Sequence, residues 1–448
     1  MFKPNLKINF VGGTAMKAKK VLSLLLATAV ISTSLAGCGN SSNNSNSNKT
    51  SSSSNELKGT ITVLTHRTDM TDTFNKYADE FEKLHPGTTI KFENLNDYQN
   101  AISTRMSTGN YGDVLMIPAN ITKDKYKDFF APLGTRDELS KTYNYLDNFD
   151  VDGTIYGIPT GANATGFVYN AKVLKDAGVT SLPTTPDEYI NMLKAIKEKT
   201  DAIPYYTNYT SEWALTNFSN ALQIGISGDP DYMNKMIYNP NEFTKGTATY
   251  TSLDLLYEAV KNKLVEQDPM TSDWEWSKQA MADGKIAVMC LGSWAIGQIQ
   301  AKSKTPDDIK FMPVPVRHDG KAIVQVGPDY GMGVNVHSKN IALAKEFLKF
   351  FITKYPQDSN MFSPIVGAKL PDYLNGATDI ELVEAKPGTT KQAQDLDTVQ
   401  KTSLINLNDG KWIKKIIEIG LGVSNETFDQ YMSELNSKWA QGVNAVKK

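Results

Sequence analysis

Residues 59–117 alternate between two hydrophobic periods, and this alternation constrains the fold more than any other feature of the chain. Gly59-Thr-Ile-Thr-Val-Leu-Thr65 is a β-branched run that reads as a strand. Phe74, Tyr77, Phe81 and Leu84 then recur at spacings of three, four and three, which predicts a helix stopped by Pro86-Gly87. Residues 88–92 read as a second strand. Residues 97–108 read as a second helix, with Tyr98, Ile102 and Met106 on one face, and Asp113–Ile117 as a third strand. Strand, helix, strand, helix, strand is the pattern of a parallel sheet covered by helices. The alternation continues with a strand at Phe167–Tyr169 and a helix opening at Thr185-Pro-Asp-Glu188, where Thr185 caps and Tyr189, Met192, Leu193 and Ile196 share a face. Further strands are predicted at 285–290, 311–316 and 331–336. Helical stripes follow at Ile341, Ala344, Phe347, Leu348 and Phe351, and at Phe428, Tyr431, Met432, Leu435 and Trp439.

Before this body lies a different kind of sequence. Residues 21–36, VLSLLLATAVISTSLA, are the one long apolar run; Lys17, Lys19 and Lys20 precede them and small residues end them. That is the layout of a secretory signal peptide, and Met16 stands where such a peptide would begin, leaving 1–15 as a mis-started extension. Leu35-Ala36-Gly37-Cys38 is similar to a bacterial lipobox, which implies that Cys38 carries a diacylglycerol anchor and begins the mature chain. Residues 39–55 are almost wholly Ser and Asn and have no apolar area to offset chain entropy. As a coil they reach about 20–25 Å, the length of a tether.

Composition excludes several classes. Without the five lysines of residues 1–37, the chain keeps 42 basic against 49 acidic side chains, a poor surface for nucleic acid. Two cysteines allow neither a disulfide framework nor a Cys-type zinc site, and Cys290, inside an apolar strand, reads as an inert thiol. His66, His85, His318 and His337 stand at no zinc-ligand spacing; HExxH, GxSxG, GxxxxGK[ST] and GxGxxG are all missing. Asp150-Val-Asp152-Gly153 opens like a calcium loop but continues without the remaining ligands, so it reads as a turn between strands. No cofactor or metal is implied.

Four segments together resemble one family. They are Phe81–Gly87 with Met106–Gly109 and Asp113-Val114; Asp152–Pro159 with Tyr169-Asn170, Ala177-Gly178 and the Thr185 helix start; Asp283-Gly-Lys285 with Ala287, Met289 and Gly292-Ser-Trp294; and Val334–Lys339 leading into Ala344–Phe347. In order and spacing, behind a lipobox, they resemble extracellular solute-binding lipoproteins of bacterial ABC sugar importers, of the maltose-binding type, over nearly all of 59–448. The resemblance implies an α/β fold of two lobes, with parallel-rich sheets flanked by helices and a ligand cleft between them. Lobe one would be 57–162 with 328–370, and lobe two 163–327 with 371–448. The crossings would fall near Gly161-Ala162, near Gly327-Pro328 and near Leu370, with Gly161, Ala162, Gly327 and Pro328 as the hinge.

A sugar presents a flat C–H face and a rim of hydroxyls, so its site needs aromatic plates and closely placed polar groups. By the resemblance, Trp294 is the stacking residue. Asn120 and Asn163 stand where the family commonly has acids, so hydrogen bonding is kept and charge is lost. Arg67 and Asp69 follow the first strand and either bridge hydroxyls or pair with each other. Glu212, Trp213, Trp274, Trp276, Asp329 and Tyr330 are further candidates, each with packing as its plainer role. The implied function is non-catalytic: capture of a small neutral solute, a mono- or oligosaccharide, by lobe closure, and delivery to permease subunits by a lipid-anchored monomer outside the cell membrane. Two other functions remain open. A surface polysaccharide hydrolase would need two cleft carboxylates about 5–5.5 or 6.5–9.5 Å apart, and a sensory or adhesive lipoprotein would lack permease partners.

Overall fold

The computed structural model describes residues 57–95, 98–118, 121–374 and 379–447. The predicted signal peptide, Cys38, the predicted Ser/Asn tether and Asn120 lie outside the described residues. In chain order the strands are β1 (Gly59–Thr65), β2 (Thr88–Asn94), β3 (Val114–Met116), β4 (Gly134–Thr135), β5 (Asp150–Val151), β6 (Thr154–Ile155), β7 (Ile158–Pro159), β8 (Ala162–Asn170), β9 (Ile203–Tyr205), β10 (Ile286–Gly292), β11 (Ile309–Met312), β12 (Ala322–Pro328), β13 (Gly331–Val334) and β14 (Ile380–Glu384). Two larger sheets run β2-β1-β3-β13-β7 and β14-β12-β8-β10-β9, with β11 added beside β8; β4, β6 and β5 form a small third sheet.

The first sheet packs its apolar side chains with two helices, Thr71–Leu84 and Ile341–Asp358, around Ile61, Val63, Phe74, Phe81, Phe347 and Phe351. Of the first helical stripe, Phe74, Tyr77 and Phe81 are buried, but Leu84 is 65% exposed, because the helix ends there and its last turn overhangs the core. The second sheet is covered on both faces. Successive residues of β8 and β10 point to opposite sides: Phe167, Tyr169, Val288 and Cys290 enter one core, and Val168, Met289 and Leu291 enter another. The helices Pro186–Lys199 and Phe428–Val446 close the first of these, and all their predicted stripe residues are buried. Thr185 accepts a hydrogen bond from the Glu188 N–H at the start of the former, as its sequence anticipates.

The sheets are mixed rather than parallel-rich. Four ladders of the two larger sheets are parallel and five are antiparallel. The cause is topological: β8 arrives from the other sheet and runs against β10, β11 and β12, while β13 returns and runs against β3 and β7. The strand at 311–316 is also shorter than predicted. It spans Ile309–Met312 and stops before Pro313, which has no N–H to give a ladder. Asp152-Gly153 does form a turn: β5 and β6 flank it, both residues have positive φ (51° and 82°), and Asp150 accepts the Gly153 N–H at 2.8 Å.

The two larger sheets are joined by an antiparallel ribbon with unbroken pairing. Gly331 faces Pro159, the Thr160 N–H donates to the Tyr330 carbonyl at 2.8 Å, and the Asp329 N–H donates to the Gly161 carbonyl at 2.9 Å. Pro328 then faces Ala162 and Gly327 faces Asn163. A third segment joins the ribbon where Phe362 and Ala162 exchange two hydrogen bonds of 2.9 Å. It passes along 142–144 before Leu374 enters a core of the second sheet.

Candidate functional site

Candidate residues collect at the carboxyl ends of strands in both sheets, where ligands of open α/β sheets bind. On the second sheet β10 ends at Gly292, and Ser293 turns the chain into the helix Trp294–Gln300. A side chain at Gly292 would put its Cβ 2.6 Å from the Trp294 ring, so only glycine lets the indole fold back over the strand end. Two more indoles meet it. Trp213 comes from the helix Glu212–Leu215 and Trp274 from the first turn of the helix Trp274–Ala282. Ring centroids are 5.2 Å apart for Trp213 and Trp274, 5.6 Å for Trp213 and Trp294, and 5.8 Å for Trp274 and Trp294. Trp213 is 45% exposed at the outer edge of this platform.

Asn163 stands beside the platform on β8. The buried Ser293 hydroxyl lies 3.5 Å from its Oδ1 and accepts the Ala164 N–H at 3.0 Å. Trp276 does not join the cluster. Two residues along a helix turn the side chain by about 200°, and its ring instead packs 5.7 Å from Tyr206, 46% exposed. Glu212 is also committed elsewhere: its carboxylate takes a hydrogen bond from Lys414 at 2.7 Å, and Lys414 lies 4.8 Å over the Tyr209 ring. Its geometry holds the short Trp213 helix against the helix Lys411–Leu421.

On the first sheet, β1 leads into His66-Arg67-Thr68-Asp69. Of the two roles open to Arg67 and Asp69, the structure shows the pair. Two guanidinium N–H groups donate to the two Asp69 oxygens at 2.8 Å each, and a third donates to the Tyr355 hydroxyl at 2.9 Å. Desolvation opposes ionisation of Asp69, but the hydrogen bonds and charge of Arg67 hold its carboxyl below the usual range. His66 packs 4.5 Å from the Tyr330 ring and places Nδ1 3.1 Å from the Met116 sulfur. Burial, then the Arg67 charge, push its imidazole down to about 4. The Tyr330 hydroxyl accepts from Gln99 at 2.8 Å. Desolvation raises Asp329, at the edge of the ribbon, to about 6. Asp329 and Tyr330 line a cavity of about 560 Å³ with Ile117, Pro118, Ile121 and Tyr126. Pro118 and Ile121 flank the stretch that contains Asn120.

Sequence reading found the three platform tryptophans one at a time. It missed Gln99, Tyr355 and Lys278, which touch residues it did find. Lys278, four residues after Trp274 and so on the same helical face, had a periodicity signal; the other two had none. Among the described residues, no group of three or more His, Cys, Asp or Glu side chains has a metal-binding arrangement. No helix among them is long and apolar enough to cross a membrane.

The family model described as "Bacterial extracellular solute-binding protein" matches residues 67–357. A solved binding protein of an ABC transporter from Bifidobacterium animalis subsp. lactis, in complex with mannobiose, is 33% identical, with a TM-score of 0.78 over 87% of this chain and 95% of that one. A manno-oligosaccharide specific solute binding protein from the same organism, in complex with mannotriose, is 33% identical, with a TM-score of 0.77 and the same coverage. The "Multiple sugar-binding protein" of Streptococcus mutans is 25% identical over 350 residues, 75% of this chain and 80% of that protein.

Proposed function

Because the chain belongs to the family of bacterial extracellular solute-binding proteins, we propose that it captures a mannose-containing oligosaccharide in the cleft between its two sheets. It then presents the closed complex to the permease of an ABC importer. The observation that carries this reading is the platform of Trp213, Trp274 and Trp294, three indoles within 5.8 Å of one another at a strand end. The rings are inclined to one another at 53–89°, so each can offer an aromatic face or edge to a different part of a saccharide. Asn163 supplies an uncharged hydrogen-bonding group beside the platform. The relatives that bind mannobiose and mannotriose direct the choice of sugar.

Lobe one is 57–162 with 328–370, and lobe two is 163–327 with 371–448. Closure bends the ribbon at Gly161-Ala162 and Gly327-Pro328. A ligand touching both lobes favours the closed state by its differential affinity. As a member of an extracellular family the protein is exported; Cys38 anchors it by lipid, as a monomer, to the outer face of the membrane, with 39–55 as its tether. Replacing Cys38 by Ser then moves the protein from the membrane to the soluble fraction.

Calorimetric titration with mannobiose, mannotriose, raffinose and maltose tests the assignment. Mannotriose is expected to bind, and at 100 times its Kd to stabilise the fold by about 2.7 kcal/mol. Binding of none of these sugars, or release of fragments from a mannan by the purified protein, overturns it.

A further inference from the structure

The platform rests on a buried charge. Lys278 lies one helical turn after Trp274, and its side chain is only 9% exposed. Its ammonium sits 4.9 Å from the Trp274 ring centroid, 2.8 Å from a Glu275 carboxylate oxygen and 3.4 Å from the Gln298 side-chain oxygen. Gln298 in turn lies one turn after Trp294. Residues four apart share a helix face, so the helices Trp274–Ala282 and Trp294–Gln300 meet in two rungs, indole on indole and ammonium on amide.

The arrangement is expensive as a means of stability alone. Burying an ammonium costs solvation, its carboxylate partner is 72% exposed, and a methionine of similar length would fill the same space without that cost. The charge supplies direction. A cation over an indole face is attracted to one orientation of that ring, and its link to Gln298 ties that orientation to the helix that carries Trp294.

We propose that Lys278 is the positioning residue of the three-indole platform, holding Trp274 against Trp294 in the orientation that stacks on a saccharide. The proposal rests on the saccharide reading of the site for its binding arm, but not for its spectroscopic arm.

The experiment compares the wild type with Lys278→Met and Lys278→Arg. Indoles this close couple electronically, so near-ultraviolet circular dichroism of the ligand-free protein reports their mutual orientation. Lys278→Met is expected to change that spectrum while leaving Tm within a few degrees of wild type. It should weaken mannotriose binding about 3- to 20-fold, the range of a partly desolvated cation–π contact. Lys278→Arg, which keeps a cation able to sit on the ring, is expected to restore both. A Met variant with wild-type spectrum and affinity overturns the proposal, and so does an Arg variant as defective as Met. Should Lys278→Met fail to fold, Gln298→Leu removes the same link between helices and carries the same spectral expectation. If the wild type binds no saccharide, the functional assignment fails while the spectra still decide the role of Lys278.

Discussion

Replacing Trp294 by Ala and, separately, Trp276 by Ala separates a platform residue from a packing residue of the same type. The Trp294 ring makes two aromatic contacts, at 5.6 Å and 5.8 Å. At about 0.5–1.5 kcal/mol each, their loss costs ~1–3 kcal/mol of stability. That is below the ~3–5 kcal/mol of a fully buried aromatic, because this ring is only half-buried. Binding suffers more. An aromatic anchor at the centre of a contact surface is worth about 2 kcal/mol or more, which is a factor of about 30 or more in Kd. Trp276 has one aromatic neighbour, Tyr206, and stands on the far side of its helix from the platform. Its truncation costs about 0.5–1.5 kcal/mol in folding and less than about twofold in affinity. Calorimetry with mannotriose gives both affinities and urea titration gives both stabilities. Equal losses of affinity in the two variants, or a Trp294→Ala protein that binds normally, would refute the assignment of the platform.

Two glycines on the ribbon should respond in opposite ways to alanine. A Cβ at Gly331 would lie 2.5 Å from Phe149 Cζ in a core with no room to yield, so Gly331→Ala is expected to destabilise by about 1–3 kcal/mol. Nothing lies within 4 Å of a Cβ at Gly327, so Gly327→Ala is expected to be neutral or to stabilise by up to about 1 kcal/mol; similar melting temperatures for the two would contradict this. Glu266 predicts a pH dependence. It is 6% exposed and receives the Thr207 N–H and hydroxyl, yet desolvation raises its carboxyl to about 7. Its folded pKa is above the unfolded value, so its contribution is fully present below about pH 4.5 and is lost as pH rises through about 7. A shift of this size is worth at most ~3 kcal/mol. Denaturant titrations of wild type and Glu266→Gln between pH 5 and 8 should show the wild type losing stability relative to the variant; parallel curves would sink the argument.

Much of the fold was legible because it is local. β1 covers the residues its β-branched run predicts, and the C-terminal stripe from Phe428 to Trp439 is buried throughout. Asp152-Gly153 declared its turn through residues that tolerate positive φ. What the sequence hid is set by partners far along the chain. Strand direction could not be read, since β8 and β13 take theirs from the sheet the chain has just left. Leu84 carried a core-like period but lies in a last turn that overruns the core. In the site, Trp213, Trp274 and Trp294 were each suggested by their own surroundings. Their meeting depends on three separate helix starts converging at the end of β10. Glu212 read as a ligand group because Lys414, which occupies it, is two hundred residues away.

The charges of the site also constrain the solute. Arg67 and Asp69 pair with each other, and Arg67 also donates to the Tyr355 hydroxyl, so their charges are matched. His66, with its pKa near 4, is an uncharged ring at neutral pH. On the second sheet, Glu212 is neutralised by Lys414, and Lys278 is turned to Glu275 and the Trp274 ring. Among the described candidate residues, Asn163 offers an uncharged amide beside the platform. Only Asp329 among these candidates gains a charge near neutrality, above about pH 6, and it does so at the edge of the ribbon. Among the described candidate residues none offers an anionic solute an unmatched cation, and each unpaired charge taken out of water costs several kcal/mol. A neutral molecule with hydroxyls to share and C–H faces to stack meets no such penalty. The electrostatics and the indole platform, two independent features of the chain, favour the same chemical class.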